Sequence, residues 1–177
     1  ALQTLPVDSE GKRYSDDDVN RLILRKSSQK TIQTLCECHG HLIKEPYTLT
    51  IKQLVRIASR DGGSKNLIAI SENLTNLLEL GFSIEQIVKM VSHNGGGLNL
   101  DAVRTNFAVL QKLHFSADQI VQMVSHGGGS HNLDAVCVNF EALRALGFNA
   151  DQIVQMVSHN GGGLNLDAVR VNFEALR

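Results

Sequence analysis

Residues 82–114 read FSIEQIVKMVSHNGGGLNLDAVRTNFAVLQKLH. The stretch recurs from Phe115 to Gly147 and again from Phe148 to Arg177, a period of 33 residues. A looser copy runs from Leu49 to Gly81. Fixed self-similarity at this length marks a stacked repeat array, in which each unit buries its apolar face against its neighbours.

Within the unit, Ser83 precedes an apolar run and Gln86 follows three residues later, a capping box that starts a helix. Phe82 and Ile87 flank it as a hydrophobic staple. The arrangement returns as Phe115, Ser116, Gln119, Ile120; as Phe148, Asn149, Gln152, Ile153; and as Leu49, Thr50, Gln53, Leu54. Ile87, Val88, Met90 and Val91 are the apolar residues of this first helix, which is expected to stop at Gly95-Gly96-Gly97, where backbone entropy disfavours helix. A longer second helix follows. Leu100, Val103, Phe107, Leu110 and Leu113 share one helical face. Leu133, Val136, Phe140, Leu143 and Leu146 repeat that face, as do Leu67, Ile70, Leu74, Leu77 and Leu80. The expected fold is therefore all-α, a solenoid of two-helix units.

Working outward, residues 1–13 read as a lead-in or partial cap, with Pro6 and Gly11. Residues 14–48 form a degenerate repeat: Tyr14, Ser15, Asp18 and Val19 reproduce the staple and the capping box, with Asp in place of Gln. Ile32, Leu35 and Leu42 stand at second-helix core positions, Gly40 is expected to end that helix, and residues 41–48 read as a linker. The regular units are 49–81, 82–114, 115–147 and 148–177. The last is three residues short of a full repeat, so the chain is expected to be a piece of a longer array.

Composition narrows the function. The 177 residues carry a net charge of −1, so no global basic field announces a nucleic-acid partner. No apolar run approaches the ~20 residues of a membrane span, and the N-terminus does not resemble a signal peptide. Three cysteines, Cys36, Cys38 and Cys137, suit a reducing compartment. No nucleophile, base and orienting group stand together, so no enzyme, small-molecule substrate or cofactor is expected.

Other motifs read as structural. His93, His126 and His159 recur one repeat apart, too far to share one metal ion. Cys36, Cys38, His39 and His41 lack the paired spacing of a zinc site, and residues two apart on a helix face away from each other. The glycine triplets are not followed by the Lys-Ser/Thr of a nucleotide-binding loop. Phe107, Phe140 and Phe173 fall in the core phase of the second helix. Asp101, Asp134 and Asp167 sit early in the second helices, where an acid suits the helix dipole.

One loop position behaves differently. Residues 86–104 and 152–170 differ only at Lys89 against Gln155, yet the residue before the glycine pair runs Asp61, Asn94, Gly127, Asn160 along the array. A constant scaffold with a varying loop tip has the form of a reader. These residues resemble the repeats of TAL effector-type DNA-binding proteins, in the pattern Q-[IVL]-V-x-[MI]-[VA]-S-x-x-G-G backed by a leucine ladder. The match covers residues 49–177 at full repeat length and residues 14–48 weakly. The repeat length is that of the shorter TAL-like branch rather than of the plant-pathogen effectors.

The resemblance implies a right-handed superhelical α-solenoid that follows the DNA major groove as a monomer, one base per repeat. It implies that Arg60, His93, His126 and His159 do not read bases but brace the loop on the carbonyls of Arg56, Lys89, Gln122 and Gln155, orphaned at the helix end. Asp61 would accept from the cytosine amino group, Asn94 and Asn160 would suit a purine N7, and Gly127 would leave room for a thymine methyl. The glycine pairs Gly62-Gly63, Gly95-Gly96, Gly128-Gly129 and Gly161-Gly162 would offer N–H groups to phosphate. The family's phosphate-binding cation survives only as Lys65. Arg25, Lys26 and Lys30, with Arg21, resemble the basic N-terminal repeats that hold the DNA backbone. The implied setting is transcription regulation, in a bacterial cytoplasm or, for a secreted effector, a host nucleus. The competing class is a protein-interaction solenoid, which the acid surplus of residues 115–147 favours: Asp118, Asp134 and Glu141 against Arg144.

Overall fold

The computed structural model describes residues 7, 11–24, 28–126, 128–159 and 162–176, with the backbone alone at 28 and 174–176. Among them are ten helices and no strand: α1 (Asp16–Ile23), α2 (Ser28–Leu42), α3 (Ile51–Ala58), α4 (Gly63–Glu79), α5 (Ile84–Val91), α6 (Gly97–Lys112), α7 (Ala117–Val124), α8 (Ser130–Ala145), α9 (Ala150–Val157) and α10 (Gly163–Leu176). The chain is all-α, and each unit supplies one short and one long helix. No helix among the described residues is long and apolar enough to cross a membrane.

Local chemistry sets the helix starts. Ser15, Thr50, Ser83, Ser116 and Asn149 each accept the N–H of the residue three positions on, and Asp18, Gln53, Gln86, Gln119 and Gln152 return the bond. Each such cap contributes about 1 kcal/mol. The long helices end in a fixed way. At Gly81, φ +90°, the Phe82 N–H donates to the Leu77 carbonyl and the Gly81 N–H to Leu78. This Schellman turn hands the chain directly to the next staple and capping box. The turn recurs at Gly147 and, with a non-glycine residue at φ +61°, at His114.

Substantive contacts join helices one or two apart along the chain. The short helices pack in the series α1, α3, α5, α7, α9, and the long ones in the series α2, α4, α6, α8, α10. The apolar faces read from the sequence meet in one cluster: Ile87, Val88, Met90, Val91, Leu100, Val103 and Leu110 are buried, as are their counterparts in the flanking units. Within each regular unit from 82 onward, the residue before the cap stacks edge-on against the second-helix phenylalanine. The pairs Phe82–Phe107, Phe115–Phe140 and Phe148–Phe173 have ring centroids 5.6, 5.3 and 6.0 Å apart, a favoured aromatic geometry. Phe140 is buried, whereas Phe107 is half-buried.

Three expectations are corrected. The first helix ends before the glycines, at Val91, because Ser92 caps it with its N–H shared between the Val88 and Lys89 carbonyls. Gly97 is already the first residue of α6, where an added Cβ would come within 2.4 Å of Ala69 Cβ on α4. The triplet therefore combines a two-residue turn with a close helix–helix approach. Gly40 lies inside α2, which runs on to Leu42, because burial of Leu42 and Ile43 draws the chain inward past it.

Candidate nucleic-acid interface

The loops between short and long helices lie in register. In α5–α6, α7–α8 and α9–α10 the residue two before the glycine pair turns its ring back on its own helix. His93 Nδ1 lies 2.6 Å from the Lys89 carbonyl oxygen, His126 Nδ1 2.7 Å from that of Gln122, and His159 Nδ1 2.6 Å from that of Gln155. Each carbonyl lies at a helix C-terminus, where acceptors lack a full intrahelical partner, and a carbonyl can only accept, so Nδ1 must carry the proton and donate. Arg60 differs. Its backbone N–H donates to the Ile57 carbonyl, and no side-chain bond to the Arg56 carbonyl forms among the described residues. Arg60 lines two clefts instead: one between α1 and α3, shared with Arg21, Lys52, Arg56, Asp17 and Asp18, and one beside Asp61 and Asn94.

At the loop tips, Asp61 and Asn94 are exposed. Gly127 and Asn160 lie outside the described residues, as do Gly161, Arg25 and Lys26. Lys65 is exposed beside the first tip, and Lys30 is exposed on α2. A cleft between the first two loops is lined by Arg60, Asp61, Lys65, Asn94, Glu72 and Asp101.

The expected use of the glycine pair for phosphate is corrected in part. The N–H groups of Gly96, Gly129 and Gly162 turn inward to the carbonyls of His93, His126 and His159 at 2.9, 3.0 and 2.9 Å. The Leu98 and Asn99 N–H groups are bonded to the Gly95 and Gly96 carbonyls, and the Gly97 N–H to Asn66. A helix start whose donors are already paired has little left for an anion beyond its dipole. The glycines serve conformation instead: Gly96 holds φ +54°, ψ −128°, a region open to glycine alone.

Sequence reasoning missed the asparagines at 66, 99, 132 and 165, each at one fixed offset after its tip and repeated at the array period. Asn66, Asn99 and Asn132 are buried. Asn99 Nδ2 donates to the carbonyls of Met90, at 2.9 Å, and of Asn94, at 2.8 Å. Asn66 Nδ2 holds the Asp61 carbonyl at 3.1 Å, and Asn165 Nδ2 holds that of Met156 at 2.9 Å. The available signal was a polar residue at fixed register directly before a core leucine.

The acids early in the second helices stand one turn further in than expected, as the fifth residue of each, and gain partners that one unit cannot show. Asp101, Asp134 and Asp167 accept from Asn73, Asn106 and Asn139 of the preceding unit at 3.3, 3.3 and 3.0 Å. Burial raises the pKa of the Cys38 and Cys137 thiols, with Asp134 adding to it at Cys137. Burial, then Glu37, does the same at Cys36. On α2, Cys36 and His41 are exposed while His39 is buried, and no cluster among the described residues could hold a metal ion. No protein-family model matches the chain, and no curated protein matches it.

Proposed function

We propose that the chain is a sequence-specific reader of double-stranded DNA, a right-handed superhelical α-solenoid that follows the major groove with one loop tip per base. The observation that carries this reading is the treatment of the tips. Their backbone carbonyls are gripped from within, Asp61 by Asn66 and Asn94 by Asn99, while the Asp61 and Asn94 side chains are exposed. Direct readout needs a rigidly placed backbone and an accessible donor or acceptor. The short helices that precede the last two tips are identical in sequence, whereas the tips themselves differ, Gly127 against Asn160.

On this reading Asp61, Asn94, Gly127 and Asn160 specify cytosine, purine, thymine and purine from 5′ to 3′ on one strand, and His93, His126 and His159 are braces. Backbone affinity comes from Lys65 and from the basic residues of the N-terminal unit, Arg21, Arg25, Lys26 and Lys30, joined by Lys52 and Arg60 across the α1–α3 cleft. The test is fluorescence anisotropy of the chain with duplexes carrying the four-base site and with single-base variants. Each wrong base should weaken binding by ~1–3 kcal/mol. Equal affinity for matched and scrambled duplexes refutes the assignment.

A second reading, a protein-interaction scaffold, is favoured by Leu98 and Leu164, which are 65% and 74% exposed next to the loops. It predicts no discrimination among duplexes and loss of partner binding on substitution of these leucines.

A further inference from the structure

We infer that Asn66 and Asn132 are positioning residues that couple a base-reading loop to the repeat that follows it, so that adjacent bases are not read independently. This rests on the DNA-reading function proposed above.

Asn66 and Asn132 each span a repeat boundary. Asn66 Nδ2 holds the carbonyl of its own tip, Asp61, while its Oδ1 accepts the Gly97 N–H of the following unit at 2.9 Å. Gly97 opens α6, whose own N-cap, Gly96, has no side chain to supply the capping oxygen. Asn66 thus caps a helix of the next repeat in trans. Asn132 does the same for α10: its Oδ1 accepts the Gly163 N–H at 2.9 Å, and its Nδ2 reaches the Met123 carbonyl at 2.8 Å and, across the boundary, the Val157 carbonyl at 3.2 Å. The middle boundary differs: Asn99 Oδ1 lies against Gly129, where an added Cβ would come within 2.8 Å, but it accepts no hydrogen bond among the described residues.

The glycines fit this bridge from both sides. A Cβ on Gly95 would sit 2.3 Å from Oδ1 of Asn99, in its own repeat. A Cβ on Gly96 would sit 2.2 Å from Oδ1 of Asn66, in the preceding repeat. One glycine of the pair therefore admits the repeat's own asparagine, and the other admits its neighbour's. The Asn66 and Asn132 amides are buried and bonded at both ends, so they cannot swing aside without leaving buried carbonyls and N–H groups unpaired. A displaced tip is thereby felt at the start of the next long helix. Thr31 precedes Ile32 as Asn66 precedes Leu67, and its Cγ2 faces Gly63. The fold thus accommodates threonine at this register.

The experiment compares the full chain with Asn66→Ala and Asn66→Thr, the latter chosen because the fold carries threonine at the corresponding place. Affinity is measured by anisotropy for duplexes changed singly at the bases assigned to Asp61, Asn94 and Gly127, and exchange of the Gly97 amide is followed by NMR. The expected result is a loss of discrimination of about three-fold or more at the first two bases, unchanged discrimination at the third, and faster Gly97 exchange. Wild-type discrimination at both bases in a variant that melts earlier would make Asn66 a packing residue and overturn the coupling while leaving the DNA reading intact. A parent chain that does not discriminate would overturn the DNA reading and the coupling with it. Unchanged Gly97 exchange in a folded variant would overturn the bridge itself.

Discussion

Gln86 Nε2 donates to Asp118 Oδ1 across 2.7 Å, from the first helix of one repeat to the first helix of the next. The other end of the same amide accepts the Ser83 backbone N–H at 2.8 Å. One side chain therefore closes a capping box and ties two repeats together. Gln119 and Asp151 repeat the arrangement at 2.7 Å, and at the first boundary Gln53 meets Glu85 at 3.1 Å, with Arg56 also within 3.6 Å of Glu85. The helix-starting signal in the sequence thus also joins the stack.

Gln86→Ala should lose both bonds and cost about 1–2 kcal/mol. Gln86→Glu should keep the cap but set a carboxylate against Asp118, and Asp118→Asn should rescue it. Urea unfolding of the single and double variants checks this. An Asp118→Asn change that leaves Gln86→Glu as unstable as before would deny the contact.

His114 holds φ +61° at a turn where the equivalent residues are Gly81 and Gly147. A left-handed conformation costs a non-glycine residue roughly 1–2 kcal/mol, and part of that returns as the greater freedom of glycine in the unfolded chain. His114→Gly should therefore raise stability by roughly 0.5–1 kcal/mol, read as a higher midpoint in thermal circular dichroism. A lower midpoint would mean that the imidazole makes a contact worth more than the strain.

Phe140→Ala should cost roughly 3–5 kcal/mol, because it removes a buried ring and its edge-on partner contact with Phe115. Phe107→Ala should cost markedly less, since Phe107 is only half-buried. The two melting curves distinguish the sites. Equal losses would mean that the exposure difference does not govern the energetics.

Arg21 and Lys52 line the α1–α3 cleft. If both hold phosphate, replacing them together with alanine should weaken matched and scrambled duplexes alike. It should also flatten the dependence of log affinity on log salt by roughly two units, at about −0.9 per contact. Asn94→Ala should instead alter base preference at one position and leave the slope alone. A salt titration of both variants separates the two roles.

The Cys137 thiol is pushed up by burial and by Asp134. Less thiolate is then present at mildly alkaline pH, so alkylation by iodoacetamide in the folded chain should be several-fold slower than in urea. Asp134→Asn should recover only the smaller, electrostatic part of the difference.

Local signals carried a large share of this molecule. The capping boxes at Ser15, Thr50, Ser83, Ser116 and Asn149 and the apolar faces such as Leu100, Val103 and Leu110 are written within single turns of helix, so residue spacing alone determines where those helices start and which side they bury. The braces at His93, His126 and His159 are equally local, since donor and carbonyl lie four residues apart. The partners of Asn66, Gln86, Asn106 and Asn132 were decided only by the tertiary structure. They lie about one repeat away, and which polar atoms meet there depends on how the helices stack rather than on any spacing within a helix. The same reason explains Gly40 and the glycine pair. Gly40 stays helical because buried Leu42 and Ile43 hold the chain on course. The Gly97 N–H, a free donor when a single repeat is considered, is paired by Asn66 of the neighbouring repeat, while that of Gly96 is paired within its own loop.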